Sequence, residues 1–458
     1  MTQSTHALCG TPQASSTGNG LSRRGALFAA LAVLPGCSVF DGIFGPDKKI
    51  LPGERAPVLA AGKSLADAVL PGQVVTLPQP IDRAEWPQPG GTPAHEGGHL
   101  AMPGGFNRAW TANVGESTGY RRRITAQPVV TGGRVFTMDA DGVVAAFDAA
   151  TGRNVWRSPT EPKDDRSTNI GGGVSVAGDT VYAATGRAEI VALDAATGAV
   201  RWRAPLGAPA RSAPTVADDR LFVATLDNQL LGLSATDGRR LWSYQSSSTE
   251  TLVLGLPAPA HVDGIVIAGF GSGELAALRA ASGTVVWSDS LAAARGRTSL
   301  VDLSAILGMP MVADGRVYAA SLGGQVLAND LRSGRRLWEL EVASSETPWI
   351  AGDWLFLVST DAQLAAVRRA DGAVAWVTQL DGFENMQKRR DPITWTGPVL
   401  AGGRLVLTSS TRAGVFVDPV SGAVTGNFDL PGAVSLAPIV AGGTMYLVTD
   451  NATLLALR

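Results

Sequence analysis

The amino-acid sequence predicts an all-β fold built from one repeated four-stranded unit. A Trp-ended pattern recurs along residues 107–458, with Trp-to-Trp spacings of 46, 40, 45, 51 and 38 residues. Repeats of about 40–45 residues are typical of four-stranded blades. In each of six units a glycine stands four residues before the tryptophan. These pairs are Gly152 and Trp156, Gly198 and Trp202, Gly238 and Trp242, Gly283 and Trp287, Gly334 and Trp338, and Gly372 and Trp376.

The third unit shows its four strands most clearly. They are expected at Ala213–Val216, Leu221–Ala224, Leu230–Leu233 and Arg240–Trp242, with Asp, Asn and Gly residues between them. These residue types tolerate the positive φ of tight hairpins, and strands with such short links pair antiparallel. A lone sheet of this kind leaves two apolar faces uncovered, so we expect the units to stack around an axis. The recurring tryptophan is then expected at the seam between blades.

Counting the units predicts eight blades. Six end in Trp, and the seventh has Phe428 near the expected position, displaced by two residues. The eighth ends after Leu454–Leu457 without a last strand, and Arg108–Thr111, which contains Trp110, supplies that strand. Pairing the N-terminal strand with the C-terminal blade closes the ring and removes exposed sheet edges. Residues 107–458 therefore predict an eight-bladed β-propeller of four-stranded antiparallel blades, with seven blades as the alternative.

Charge and cysteine content exclude several kinds of partner and site. The 38 basic and 40 acidic residues give a net charge of −2, which produces no field that would gather nucleic acid. Cys9 and Cys37 both precede the repeats. The repeat region therefore contains neither a disulfide framework nor a thiolate metal site.

Residues 1–36 have the layout of a lipoprotein export signal. Ser22–Arg24 precede an apolar run from Gly25 to Leu34, which is shorter than the roughly 20 residues that span a bilayer. The run ends in a lipobox-like Leu-Pro-Gly-Cys, which predicts lipidation of Cys37. A plain secretory signal is the alternative, and the arginine pair leaves the general and twin-arginine routes open. Ser38 favours the outer membrane, so we expect a lipid-anchored protein on its periplasmic face.

Residues 37–106 are expected to be a tether between the lipid anchor and the propeller. They are rich in Pro and Gly, as at Leu51–Gly53 and Trp86–Gly91. Proline fixes φ and removes a hydrogen-bond donor, which favours an extended or irregular chain.

Motifs that resemble catalytic signatures stand in unsuitable contexts. His95–His99 matches HExxH, but zinc proteases place both histidines on one helix, and a glycine pair disfavours that helix. Pro57–Ser64 nearly matches a phosphate-binding loop without its first glycine, and Gly269–Gly273 lies in a repeat hairpin. No GxSxG occurs, and His261 is the one histidine within the repeats. We therefore expect no enzyme, no cofactor and no metal.

Two basic triplets, Arg121–Arg123 and Lys388–Arg390, are expected in loops between blades. Solvated loop charge explains them, and a contact patch for an acidic partner is the alternative.

The unit at Ala192–Trp202, Ala-Leu-Asp-Ala-Ala-Thr-Gly-Ala-Val-Arg-Trp, resembles the repeat of pyrroloquinoline-quinone (PQQ) enzymes and their relatives. Combined with a lipobox and eight blades, the chain resembles the BamB family, the propeller lipoproteins of the β-barrel assembly machinery (BAM). The resemblance covers roughly residues 37–458.

This resemblance implies a non-catalytic scaffold that binds a periplasmic domain of BamA, the barrel-inserting subunit. Other BAM subunits and unfolded outer-membrane protein precursors are the further partners it implies. The family's docking loops match Leu252 and Leu254, with Gly255 in place of an arginine. They also match Arg297 and Asp302, with a leucine in place of the first aspartate. A PQQ-dependent dehydrogenase, and a lipid-anchored propeller with another protein partner, are the alternatives.

Overall fold

The computed structural model describes residues 65–120, 122–161, 169–247, 255, 257–291 and 304–458. Within these residues the chain forms eight four-stranded antiparallel sheets, one two-stranded hairpin and a single short 3₁₀ helix, Leu65–Ala68. The sheets follow one another along the chain. Seven are simple meanders, and the eighth combines the last three strands of the chain with the first. This confirms the predicted all-β, eight-bladed propeller and rules out seven blades.

The strands of the first four blades run from the innermost to the outermost in chain order. They are β2 (Val129–Thr131), β3 (Arg134–Met138), β4 (Val143–Asp148), β5 (Asn154–Pro159), β6 (Gly172–Ala177), β7 (Thr180–Thr185), β8 (Glu189–Asp194), β9 (Val200–Pro205), β10 (Thr215–Ala217), β11 (Arg220–Ala224), β12 (Gln229–Ser234), β13 (Arg240–Gln245), β14 (Ala260–Val262), β15 (Ile265–Gly269), β16 (Glu274–Arg279) and β17 (Val285–Ser290).

Blades 5 to 8 repeat this arrangement, with the hairpin β26–β27 inserted between blades 6 and 7. Their strands are β18 (Met311–Ala313), β19 (Arg316–Ala320), β20 (Val326–Asp330), β21 (Arg336–Leu340), β22 (Trp349–Ala351), β23 (Trp354–Val358), β24 (Gln363–Arg368), β25 (Val374–Gln379), β26 (Phe383–Asn385), β27 (Arg390–Pro392), β28 (Trp395–Ala401), β29 (Arg404–Ser409), β30 (Ala413–Val417), β31 (Val424–Asp429), β32 (Ile439–Ala441), β33 (Thr444–Val448) and β34 (Thr453–Leu457).

The N-terminal strand β1 (Arg108–Asn113) closes the ring by pairing with β34 of blade 8. The register runs from Arg108 opposite Leu457 to Asn113 opposite Thr453. Beyond the strand, Asn107 and Arg458 exchange two backbone hydrogen bonds of 2.8 and 2.7 Å. The predicted closure is confirmed, because the first strand is the outermost strand of the last blade.

The repeat tryptophans lie at the seams between blades. The Trp156 indole donates to the carbonyl of Ala195 in blade 2 at 3.1 Å, and the Trp242 indole donates to Ala280 in blade 4 at 2.9 Å. The same bond to the next blade is made by Trp110, Trp287, Trp338 and Trp376. A Cβ on Gly198 would lie 2.5 Å from the Trp156 ring. Glycine and tryptophan therefore recur together because they touch across the seam.

A hydrogen-bonded turn presents each of these glycines to the neighbouring blade. In blade 2 the Asp194 carboxylate accepts from the backbone N–H and the hydroxyl of Thr197, at 2.9 and 2.8 Å. Gly198 follows at φ 74°, which a residue without a side chain adopts freely. Hydrogen bonds from Arg201 and Thr197 lower the pKa of Asp194 to about 2. The same carboxylate–hydroxyl turn recurs at Asp148, Asp330 and Asp418.

Blade 7 departs from the repeat at its outermost strand. Gly426 is paired with Phe416, the register that Trp156 has opposite Ala146 in blade 1. Phe428, two residues later, stacks on Phe416 with ring centroids 4.7 Å apart. The large aromatic side chain of this strand therefore lies two residues later than in the other blades, as the sequence indicated.

Residues 83–100, called the channel plug below, close one end of the central channel. They hydrogen bond to the innermost strand, or to the turn that follows it, in blade 8 and then in blades 1 to 7 in order, at 2.7–3.0 Å. The plug residues in these bonds are Arg83, Trp86, Pro87, Gln88, Pro93, Ala94, Gly98 and Leu100. One segment therefore ties all eight blades together.

Glycines and prolines give the plug its shape. Gly90, Gly91 and Gly98 have φ of 71°, 77° and 85°, which lets the chain turn sharply within the channel. A Cβ on Gly97 would lie 2.5 Å from the Trp349 ring, so the backbone rests directly on the indole. The Trp349 indole donates to the carbonyl of Gly98 at 2.8 Å. The high content of glycine and proline led to the prediction of a tether, but in the structure it allows the plug to pack closely within the channel.

The sequence predicted that the tether ends and the propeller begins at residues 106 and 107, and the structure differs from this boundary. From Leu65 onward the described residues belong to one compact unit with the blades. Leu65 is buried, and the Leu70 N–H donates to Val374 in blade 6 at 2.9 Å. The lipid-anchor region and the tether as far as residue 64 lie outside the described residues. Among the described residues there is no helix with the length and apolar character needed to cross a membrane.

Replacing a seam tryptophan tests the packing between blades. We expect Trp242→Ala to lower the free energy of unfolding by about 3–5 kcal/mol, because it empties a buried site and removes the bond to Ala280. Urea unfolding measures this loss. Trp202 is half-buried and its indole makes no hydrogen bond within the described residues, so Trp202→Ala is the milder control. An equal loss in both variants would contradict the assigned role of the seam bond.

A methyl group on Gly97 tests the plug. We expect Gly97→Ala to lower the free energy of unfolding by about 1–3 kcal/mol, because the new Cβ overlaps the Trp349 ring. The displaced plug should be cleaved faster by an added protease, with cuts mapped to residues 83–100 by mass spectrometry. Gly382→Ala is the matched control, because a Cβ there meets nothing within 4 Å. Unchanged cleavage in Gly97→Ala would show that the plug tolerates the overlap.

Candidate functional site

The central channel forms a cup that opens at the end opposite the plug. The cavity has a volume of about 650 Å³, and the plug residues Trp86 and His95 form its floor together with Trp349. The Trp86 and Trp349 rings are parallel, with centroids 6.3 Å apart. The walls come from the connections that enter each innermost strand, for example Ser212 and Leu436. This cavity, called the central cup below, is accessible from one side because the plug fills the other.

The two histidines of the HExxH pattern attach the plug to neighbouring segments through hydrogen bonds to backbone groups. The Nδ1 atom of His95 lies 2.7 Å from the carbonyl oxygen of Pro310, and burial lowers the pKa of this imidazole to about 4. His99 Nδ1 lies 2.9 Å from the carbonyl oxygen of Pro78, and its Nε2 accepts from the Gly403 N–H at 3.1 Å. A carbonyl oxygen only accepts, so Nδ1 carries the proton in both rings. The motif is irregular chain, as expected for loop residues.

The described residues contain no group of three His, Cys, Asp or Glu side chains arranged to hold a metal ion. The calcium-binding carboxylates of a quinoprotein are therefore missing from this part of the chain, and residues 107–458 contain no cysteine. The residues present in the cup do not fit a calcium–PQQ site.

Charged side chains line the cup on different sides. Arg211 is half-buried, and burial lowers the pKa of its guanidinium. Arg123 lies on the same wall beside Ile170. Glu346 comes from the connection between blades 5 and 6, and burial raises the pKa of its carboxyl group to about 7, although its oxygen accepts from the Gly397 N–H at 3.2 Å. Within the described residues the cup thus combines two arginines that have no ion-pair partner with a carboxyl group that is about half protonated at pH 7.

A hairpin projects from the loop face around the mouth of the cup. The hairpin β26–β27 is exposed along its length, and its tip contains the basic triplet Lys388–Arg390. Arg389 lies over the ring of Phe383, 5.4 Å from its centroid. Of the other triplet, Arg122 forms ion pairs with Glu116 and Asp141 at 3.3 and 3.0 Å. Arg122 and Arg123 lie in the connection between blades 8 and 1, and Lys388–Arg390 lie in the hairpin between blades 6 and 7. The ion pairs of Arg122 are exposed and add little stability.

The predicted partner contacts Leu252, Leu254, Arg297 and Asp302 all lie outside the described residues, as does the predicted lipidation site Cys37. In the sequence the first two belong to the connection between β13 and β14, and the last two to the connection between β17 and β18. These connections join blade 3 to blade 4 and blade 4 to blade 5. The phosphate-loop pattern at 57–64 is also outside the described residues, and Gly269–Gly273 lies in the β15–β16 turn, as predicted.

The comparison with protein families identifies the chain's relatives. The family model described as outer membrane protein assembly factor BamB matches residues 79–169 and 140–378, more than half of the chain. The BamB of Yersinia pestis is 28% identical over 357 residues, which cover 76% of this chain and 88% of the relative. The BamB of Vibrio cholerae is 35% identical over 250 residues, 55% of this chain and 64% of the relative.

Solved structures show the same architecture in proteins of two kinds. The crystal structure of BamB from Moraxella catarrhalis superposes with a TM-score of 0.66 at 21% identity, covering 77% of this chain and 99% of that one. Quinohemoprotein alcohol dehydrogenase from Comamonas testosteroni superposes with a TM-score of 0.64 at 14% identity, covering 82% and 80%. At these identities the structures show the fold alone. The family model separates the two kinds, and the chain belongs to the outer membrane protein assembly factor BamB family.

Proposed function

We propose that this chain is a non-catalytic scaffold subunit of the outer-membrane β-barrel assembly complex. Its membership of the BamB family carries the proposal, since the matched relatives are named as outer membrane protein assembly factors. Such a subunit holds other proteins near the site where barrels are inserted. A propeller closed by β1 and by the plug suits this task, because its loops are held on a rigid ring.

The side chains present support binding rather than chemistry. The one histidine of the repeats, His261, is buried against Phe222 with ring centroids 5.6 Å apart. Burial lowers the pKa of His261, whose Nε2 atom lies 3.2 Å from the Asp218 carboxylate, and this residue does not line the cup. The cup itself offers arginine, hydroxyl, carboxyl and apolar groups, and its histidine, His95, is bound through Nδ1 to the carbonyl of Pro310 rather than to a nucleophile.

We infer that BamA docks on the loop face at the connections that leave blades 3 and 4. Leu252 and Leu254 lie in one connection and Arg297 and Asp302 in the next. Connections of adjacent blades that join the same pair of strands leave the ring at the same end. The two leucines supply apolar contacts, and Arg297 and Asp302 supply opposite charges that fix the orientation of a partner.

A pull-down from native membranes tests the docking face. We expect Asp302→Asn to lower the recovery of BamA with the full-length tagged protein in mild detergent, because a charged contact is lost. Asp263→Asn is the control, since Asp263 is an exposed aspartate in the turn between the two innermost strands of blade 4. Full recovery of BamA by both variants would exclude Asp302 as a contact, and absence of BamA from the wild-type sample would overturn the proposed function.

Removing Cys37 tests the lipid anchor. We expect Cys37→Ala to move the protein from the membrane fraction to the soluble periplasmic fraction, because the acyl chains hold it at the bilayer. Immunoblots of the two fractions measure the shift, and Cys9→Ala is the matched control. Retention of Cys37→Ala in the membrane fraction would contradict anchoring through this cysteine.

A further inference from the structure

We propose that the central cup binds an organic carboxylate with an apolar body, the chemistry shared by the carboxyl end of a polypeptide and by a small free acid. The inference goes beyond the scaffold function and is tested apart from the BamA contacts, because Arg123 and Arg211 lie in the connections that enter blades 1 and 3, whereas the proposed contacts lie in the connections that leave blades 3 and 4.

Closure by the plug makes the cup a binding site rather than a passage. Its volume of about 650 Å³ lies within the range of small-ligand pockets, roughly 300–1,000 Å³. Apolar side chains line much of the wall, among them Ile124, Leu307, Met309 and Val434. A ligand that enters from the loop face therefore meets apolar walls and a closed floor.

Two arginines converge on one stretch of this wall without acidic partners. Arg211 Nη1 donates to the carbonyl of Ile170, and Arg123 forms a backbone bridge with Ile170. Neither side chain has an ion-pair partner within the described residues, and Arg211 Nε is buried without an acceptor. Desolvating a cation without a counter-charge is unfavourable, so an anion is the missing partner.

Gly171 shapes the wall for Arg211. A Cβ at this position would lie 2.5 Å from the Ala210 carbonyl oxygen and 3.1 Å from Arg211 Cδ. Its φ of 117° is also one that other residues avoid. The glycine therefore lets the guanidinium lie along the cup, where its planar fork matches a carboxylate.

The charge balance of the cup fits a single carboxylate. On the acidic side, Asp450 accepts from the Ser435 hydroxyl at 2.8 Å, and Glu346 is the carboxyl group whose pKa burial raises to about 7. Arg123, Arg211 and Asp450 together carry one positive charge, and an anion in the cup favours the protonated form of Glu346, which leaves that charge uncompensated. A monoanion neutralises it, whereas a dianion such as phosphate exceeds it.

The floor and wall also contain hydrogen-bonding groups without partners. His95 Nε2 and Ser212 Oγ are buried and unpaired within the described structure. Because His95 Nδ1 carries its proton toward Pro310, Nε2 is left as an acceptor. Such an acceptor favours a ligand with an N–H donor. Peptides have one beside their carboxylate and simple aromatic acids do not.

Isothermal titration of the full-length protein tests the site with three probes. They are an N-acetylated dipeptide that ends in phenylalanine with a free carboxylate, the same dipeptide as its C-terminal amide, and phenylacetate. We expect the free dipeptide to bind at concentrations up to about 1 mM. The amide should bind at least about 10-fold more weakly, because it loses a charged hydrogen bond.

Variants of the two arginines in the cup give the second test of dipeptide binding. Arg211→Gln and Arg123→Gln should each weaken the free dipeptide about 10-fold or more, while Arg240→Gln, at an exposed position of β13, should leave binding unchanged. Arg123 is exposed, so its variant keeps the test valid if Arg211→Gln fails to fold. Equal binding of acid and amide, no effect of either cup variant, or no binding of any probe would overturn the proposal. Phenylacetate binding as tightly as the dipeptide would support the carboxylate site and assign it to small acids.

Discussion

Eight sheets keep their positions around one axis only when the ring is closed, and this chain closes it twice. The first closure is the pairing of β1 with β34, which makes the two ends of the propeller one sheet. The second is the plug, which hydrogen bonds to all eight blades from Arg83 to Leu100. The seams, the cup and the loop face all require this ring, because each is assembled from neighbouring or opposite blades.

The plug also determines from which face of the propeller a ligand can enter the central cup. A propeller channel that is open at both ends offers two equivalent entrances. Here Trp86, His95 and Trp349 form a floor, so a ligand has access from the loop face alone. The longer connections, the β26–β27 hairpin and the predicted partner contacts all belong to segments that join blades. One side of the molecule is thus specialised for closure and the other is left for recognition.

The sequence was sufficient to predict the blades because their contacts are periodic. The pairing of Gly198 with Trp156 repeats at seven of the eight seams, so one local contact leaves a recognisable pattern in the sequence. The closing strand was predictable too, since the eighth unit lacked one strand and Trp110 marked its position. The plug was not predictable, because it makes at most a few hydrogen bonds with each blade and the partners lie up to about 360 residues away in the chain. Its prolines and glycines are equally typical of a free tether.

The candidate site could not be predicted from the sequence for the same reason, because its residues do not recur from blade to blade. Arg211 and Glu346 carry no motif, and their significance depends on the surroundings that only the folded ring supplies. The strands and seams are fixed by packing, so little can change there without loss of stability. The connections are under no such constraint, and their lengths differ, with eight residues between β21 and β22 and fifteen between β25 and β28, which include a complete hairpin. Since recognition requires side chains that can differ between proteins of one fold, we place the function of this propeller in the connections and in the cup that they line.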